Sequence, residues 1–241
     1  MNRLSPLGSI WCLSLVLSPV IQAGKLADRA VDPTDKLREI VSVLRAVWAR
    51  DFDTNYRKYM LGPSPIVLLI PRAEMMKIAA ARPDGRERDG ATTQGLTISE
   101  KENARIVVVY DDIAALLVAK TINHELGHLD LKHEGLSRNR EEARVRKTVD
   151  TAFFARFFGP EWLQATVEAL KKKVSRVEKN GRSFQGYTPE AIETFYLQLR
   201  HAGAPIERNA LHDRILGHIV FILTNREEDL VAALGIEDDL N

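Results

Sequence analysis

One segment of the chain, from Ile113 to His128, constrains the fold more than any other. It reads IAALLVAKTINHELGH, and its apolar side chains recur at spacings of three and four, which is the pattern of an α-helix. Alanine, valine and isoleucine also fill most of the intervening positions, so little polar surface remains. We therefore expect a helix that is buried on most sides, with other elements packed around it.

His124 and His128 end this segment, and Glu125 follows the first of them. Residues four apart lie about 40° from each other around a helix axis, and neighbours lie about 100° apart. Two imidazoles on adjacent turns with a carboxylate beside them form the arrangement that a catalytic zinc site needs. Gly127 would let another element approach the same helix closely. The pattern predicts a Zn2+ site, and the alternative is an ordinary helix with surface histidines.

Composition limits the classes of partner. The 34 Lys and Arg residues nearly cancel the 33 Asp and Glu residues, which leaves a net charge of +1. A nucleic-acid binder would normally carry a basic stripe, so we expect no nucleic-acid partner. At 241 residues and 45% apolar content, the chain can build one sizeable core.

Residues 1–23 form a predicted signal peptide. Arg3 is the only charge in this segment, a mostly apolar run follows it, and Ile21 and Ala23 provide a cleavage site. Prolines, serines and a glycine interrupt the run, so it would make a poor permanent membrane span. Its removal takes away Cys12, the only cysteine, which suits an exported protein without disulfides. The alternative is an uncleaved N-terminal membrane anchor.

The rest of the chain, residues 24–241, is predicted to form a single α+β domain. Residues 24–135 supply a small, mostly antiparallel sheet packed on the histidine-bearing helix, and residues 136–241 supply a helix-rich part. Asp111 and Asp112 can cap the helix that starts at Ile113. Periodicity and turn residues predict helices over 33–61, 139–158, 160–179, 188–201 and 203–223, strands over 65–71, 95–99 and 104–110, and an exposed loop over 82–95.

The segments VAKTINHELGHLDLKHEG (118–135) and NREEAR (139–144) resemble the zincin metallopeptidases of the gluzincin type. Within that type they are most similar to small peptidases of the ImmA/IrrE kind and to those related to the CAAX prenyl protease, over about residues 104–145. A metzincin fits badly, because that pattern requires glycine and histidine where this chain has Leu131 and Glu134. The resemblance implies a zincin-like fold, bound Zn2+ and a peptide or protein substrate.

The third zinc ligand of such enzymes is a glutamate on a following helix. On the predicted helix 139–158, Glu142 lies near the centre of the apolar face and Glu141 towards its edge. Gluzincins often carry E-x-x-A-D here, and this chain departs from that pattern. Glu142 is the predicted ligand, and Glu141, His133 and Glu134 are the alternatives. The acidic pair also suits the first turn of a helix.

Four further residues are candidates for supporting roles. Asp130 and Asp150 could accept hydrogen bonds from the ligand imidazoles, a role that zinc sites need filled. His212 or His218 could stabilise the oxyanion of the reaction, as a histidine or tyrosine does in gluzincins. The ordinary interpretation is a surface charge for each aspartate and a core or surface residue for each histidine.

Together these features predict an exported, secreted or periplasmic zinc-dependent metallopeptidase without a stable membrane span after signal cleavage. Glu125 is the expected general base, acting on a water molecule that zinc activates. The alternative is a zincin-fold binding or chaperone-like module without peptidase activity. An intact Glu125 favours the peptidase, whereas the irregular third-ligand region favours the module. The orientation of Glu125 relative to the two histidines distinguishes them.

Overall fold

The computed structural model describes residues 33–61, 65–81, 93–100, 103–131, 135–179 and 182–225. The predicted signal peptide, most of the predicted loop 82–95, and the alternative ligands His133 and Glu134 lie outside these residues.

The N-terminal helical region is segmented rather than continuous. Helix α1 spans Pro33–Trp48, a 3-10 turn spans Ala49–Asp51, helix α2 spans Phe52–Tyr56, and a π-helical turn spans Arg57–Leu61. The break falls at Ala49, whose φ of 45° lies outside the range of a right-handed helix. The predicted helix over 33–61 is therefore correct in extent but interrupted.

The central sheet has three strands in the order β1-β3-β2: β1 (Val67–Ile70), β2 (Gly95–Glu100) and β3 (Asn103–Val109). The β2–β3 pair is antiparallel and the β1–β3 pair is parallel. The sheet is thus mixed, and the expected mostly antiparallel sheet is wrong in this respect. Helix α3 (Arg72–Ala80) follows β1 directly and belongs to the long crossover that parallel pairing requires. Strand β2 lies at an edge of the sheet.

Helix α4 spans Ala115–Asp130, and all of Ala115–Ile122 is buried. It packs on β2 and β3 on one side and on α1 on another, as its apolar circumference requires. Asp111 and Asp112 do not cap it, because they bind the side chain and backbone of Arg72 instead. The helix starts at Ala115, two residues after the predicted start at Ile113, and its N-cap residue is Ala114.

The C-terminal part contains five α-helices, one π-helical turn and one hairpin among its described residues. These are α5 (Arg138–Val145), a π-helical turn (Arg146–Asp150), α6 (Thr151–Phe158), α7 (Pro160–Lys171), the hairpin of β4 (Val174–Lys179) and β5 (Arg182–Tyr187), α8 (Pro189–His201) and α9 (Ala210–Thr224).

The predicted helix over 160–179 is wrong beyond Lys171, since residues 174–179 pair antiparallel with 182–187. Valines at 174 and 177 are spaced to suit a helix, but β-branched residues also favour a strand. The segment forms a strand because it pairs with residues 182–187. The Thr188 cap of α8 is confirmed, because its hydroxyl accepts a hydrogen bond from the Ala191 N–H. Across the residues described, no helix is long and apolar enough to cross a lipid bilayer.

Candidate metal centre

A cavity of about 600 Å3 opens beside α4. Its walls come from the edge strand β2, from α5 with the π-helical turn that follows it, and from α9. His124, Glu125 and His128 all line this cavity. Glu125, which is mostly buried, therefore borders the same cavity as both histidines.

The two histidines converge on one carboxylate. His124 Nε2 lies 3.2 Å from Glu142 Oε1, and His128 Nε2 lies 3.0 Å from Glu142 Oε2. The imidazole rings are 5.1 Å apart between centroids. One ligand atom from each of the three residues lies within 4.8 Å of the other two.

Glu142, rather than Glu141, faces the histidines. Glu141 lines the same cavity but does not belong to the cluster of three. The Glu142 carboxylate is one quarter exposed, and the Arg146 guanidinium, one turn later, binds its Oε1 at 2.6 Å. Glu142, the predicted third ligand, therefore lies where the two histidines converge, and the Arg146 contact is a feature that the sequence did not reveal.

A buried ion pair orients the first histidine. His124 Nδ1 lies 3.2 Å from Asp150 Oδ1, so the Nδ1–H donates to this carboxylate while Nε2 faces Glu142. Lys120 Nζ lies 3.1 Å from the other oxygen of Asp150, and the Asp150 side chain is only 2% exposed. Asp150 thus takes the supporting position predicted for it. Asp130 is exposed at the end of α4.

The π-helical turn Arg146–Asp150 explains how one helical segment reaches His124 twice. In a regular α-helix, positions eight apart lie about 80° from each other around the axis. The extra residue of a π turn moves Asp150 to where position 149 would otherwise lie, about 20° from Glu142. Glu142 and Asp150 consequently approach opposite nitrogens of the same imidazole.

Close packing fixes α4 on both sides of its histidines. A Cβ added to Gly127 would lie 2.6 Å from Val149 Cγ2, so the π-helical turn can approach α4 only because residue 127 has no side chain. A Cβ added to Gly95 would lie 2.8 Å from Glu125 Oε1. The Thr97 hydroxyl donates a 2.7 Å hydrogen bond to Glu125 Oε2. The edge strand β2 therefore positions the carboxylate of Glu125.

The two candidate oxyanion histidines lie in different places. His212 is buried, its Nε2 accepts a hydrogen bond from the Ala114 N–H, and its Nδ1–H donates to the Glu207 carbonyl. It thereby satisfies a free amide at the start of α4. His218 is the one that lines the cavity.

Charges around the cluster shift three pKa values. Burial disfavours a charged imidazole, but the Asp150 and Glu142 carboxylates raise the pKa of His124 to about 9. Burial alone would raise the pKa of Glu142 and Asp150, because it disfavours the ionised carboxylate. Nevertheless, Arg146 and then His124 hold the pKa of Glu142 well below its ordinary value, and Lys120 and then His124 lower the pKa of Asp150. Without a metal ion, the cluster therefore retains a proton on His124.

The donor set could hold a metal ion. Histidine nitrogen and carboxylate oxygen are among the ligands that zinc takes in proteins, and one such atom from each of the three residues lies within 4.8 Å of the others. Asp150 supplies the carboxylate partner that a ligand histidine normally has.

Zinc binding is expected to release a proton and to strengthen with pH. A folded-state pKa of about 9 for His124 means that zinc must displace the proton at any lower pH. Apparent zinc affinity should rise about tenfold per pH unit from about pH 6.5 to 9. The metal-free protein should instead lose stability over this window, because the raised pKa stabilises the fold only while His124 is protonated. Calorimetry in buffers of different ionisation enthalpy measures the release, and a pH-independent affinity would contradict it.

In comparisons with known proteins, no family model, no curated protein and no solved structure gives a significant match to this chain. The function of the cavity must therefore be inferred from its own geometry. The fold and the cavity define an α+β protein with a candidate site for one metal ion.

Proposed function

We propose that this protein is a zinc-dependent metallopeptidase of the zincin type. The observation that carries the proposal is the convergence of His124, His128 and Glu142 in a cavity that Glu125 also lines. Three protein ligands and an adjacent carboxylate are the composition of a catalytic zinc site, which keeps one coordination position open. A helix packed on a sheet with an edge strand beside it is consistent with a zincin fold.

Glu125 is the proposed general base. Thr97 holds one carboxylate oxygen by a 2.7 Å hydrogen bond, and the close approach of Gly95 limits movement of the other. Bound zinc would polarise the scissile carbonyl and lower the pKa of the attacking water. Glu125 accepts the proton of that water and passes it to the leaving amine.

His218 is the proposed donor to the developing oxyanion. It lines the cavity from α9, on the wall that also includes Arg214. His218 keeps an exposed surface, and partial desolvation together with the positive charges of Arg146 and Lys120 lowers its pKa. A neutral imidazole at neutral pH still carries one N–H donor, and such a donor stabilises negative charge where it develops.

Strand β2 provides a surface on which an extended peptide could bind. Its residues Gly95–Thr97 line the cavity, and one edge of the strand is free of a partner among the described residues, since β2 pairs with β3 alone. A peptide that adds to a free sheet edge gains main-chain hydrogen bonds irrespective of its sequence. This placement would bring the peptide backbone across the cavity beside Glu125.

The proposal predicts chelator-sensitive hydrolysis of a denatured protein. Activity should fall to background when zinc is removed and should return when about one equivalent is restored, because the site needs the ion for both polarisation and nucleophile activation. His128→Ala, prepared in parallel, is the control. Hydrolysis that is equal in this variant and insensitive to chelator would contradict the proposal.

A second candidate function is a binding or chaperone-like module on the same fold. The observation that favours it is the Arg146 guanidinium, which binds Glu142 through both Nε and Nη2 and could complete the cluster without a metal. A module of this kind would retain its partner binding after zinc removal and after Glu125→Gln. Loss of function in either condition favours the peptidase.

Export is part of the proposal, with residues 1–23 removed as a signal peptide. If they are removed, protein recovered from the cell envelope or medium should begin close to Gly24, because Ile21 and Ala23 form the cleavage site. N-terminal sequencing of that protein measures this directly. A chain that still begins at Met1 would instead favour the N-terminal anchor.

A further inference from the structure

The α9 wall of the cavity carries a positive charge that no described residue neutralises in an ion pair. Arg214 lines the cavity and is exposed, and among the residues described its side chain has no ion pair or hydrogen bond. Nearby cations differ in this respect. Lys120 is paired with Asp150 and Arg146 with Glu142.

The other walls carry charges of both signs. On the α5 wall, Arg138 lines the cavity together with Glu141, three residues away, so the two charges offset each other. On the α4 wall, the Glu125 carboxylate is held by Thr97. The only charged side chain that α9 contributes to the lining among the described residues is Arg214, and isoleucines 215, 219 and 222 accompany it.

The environment of His218, one helical turn after Arg214, is consistent with a positive field at this wall. After desolvation, the charges that lower the pKa of His218 come from Arg146, Lys120 and Arg214, opposed by Glu142. A substrate group that enters along α9 therefore meets the positive charge of Arg214 beside the apolar side chains of Ile215, Ile219 and Ile222. Such a surface attracts anions and repels cations.

We propose that the cavity selects peptides with a carboxylate near the scissile bond, and that Arg214 is the residue that binds it. The inference rests on the proposed peptidase function. A guanidinium presents several N–H donors in one plane and can bind a carboxylate through two of them. The carboxylate can be an Asp or Glu side chain or the C-terminus of the peptide, since the two have the same chemistry.

Cleavage sites in a mixture of peptides from a whole-cell digest test the proposal. The zinc-loaded wild type should enrich Asp and Glu, or free C-termini, within a few residues of the cut, and Arg214→Gln should lose the enrichment. Arg208→Gln is the matched control, because Arg208 already pairs with Glu193 and Asp213. Internal enrichment identifies the side chain as the carboxylate, and enrichment that depends on a free C-terminus identifies the terminus. Cleavage without acidic enrichment overturns the inference and leaves the peptidase intact.

A binding measurement separates this inference from the proposed function. Zinc-loaded Glu125→Gln is titrated with labelled, C-terminally amidated ten-residue peptides that differ only in a central Glu, Gln or Lys. The Glu peptide should bind about fivefold more tightly than the Gln peptide at low salt, as expected for a partly exposed charge-assisted pair, and Arg214→Gln should remove the difference. If no peptide is cleaved by the wild type, the proposed function fails while this result still decides anion selection. The Gln peptide with a free C-terminal carboxylate is titrated beside its amidated form, to cover the terminus as the source of the carboxylate. Equal binding of the Glu, Gln and Lys peptides, together with equal binding of the free and amidated Gln peptides, overturns the inference.

Discussion

Replacing Glu142 with alanine is expected to lower zinc affinity by at least about a hundredfold, since catalytic zinc sites need three protein ligands. The carboxylate lies 3.2 and 3.0 Å from the Nε2 atoms of His124 and His128, and its removal leaves two imidazoles. Affinity is measured by competition with a chelator of known strength. Glu142→Gln, which keeps the shape and a partner for Arg146, should show the same loss without a large change in thermal stability.

Glu141→Ala is the matched control for this prediction. Glu141 has the same charge and lines the same cavity, yet it lies outside the cluster of three, so its removal should change zinc affinity by less than about threefold, as for a surface charge. His133→Ala should also keep the metal. Wild-type affinity in Glu142→Ala, combined with a loss in either of the other variants, would show that the ligand is wrongly assigned.

Glu125→Gln is expected to reduce hydrolysis by about 100- to 10,000-fold, the usual contribution of a general base. The amide is nearly isosteric and its oxygen can still accept the hydrogen bond from Thr97, but it cannot take a proton from water at neutral pH. Zinc content should remain that of the wild type because Glu125 lies outside the three-residue cluster. Turnover of a denatured protein substrate, measured at equal zinc content, checks this prediction.

Glu141→Gln serves as the control here, because it removes the same charge from another wall of the cavity. It should retain most of the activity. If Glu125→Gln hydrolyses the substrate at the wild-type rate with zinc bound, Glu125 is not the base and the proposed mechanism is wrong.

Sequence periodicity predicted the parts of this site that depend on one helix. His124, Glu125 and His128 are set by the geometry of α4 alone, and the apolar composition of residues 115–122 implied its burial. Gly127 was interpretable as a point of close approach, and the structure places Val149 against it. The relative positions of residues on one helix can be predicted from the sequence because the geometry of the helix alone determines them.

The parts that depend on two elements could not be predicted in the same way. Asp150 reaches His124 only because of the π-helical turn, and no residue type marks such a turn. The sequence pattern gave Lys120 no role beyond a position on the helix. Its only described ion-pair partner is Asp150, which lies 30 positions further along the chain. His212 supports the start of α4 through the Ala114 N–H, a contact between residues 98 apart. The parallel pairing of β1 with β3 likewise depends on the crossover rather than on either strand.

The central claim is that His124, His128 and Glu142 hold one zinc ion. Elemental analysis of wild-type protein purified without chelators tests it most directly, with His124→Ala purified in the same way beside it. The proposed site predicts about one zinc per chain in the wild type, as a three-ligand site holds the ion through purification, and a sharp drop in the variant. Wild-type protein that is folded and free of zinc, and that stays so after incubation with zinc, would contradict the claim.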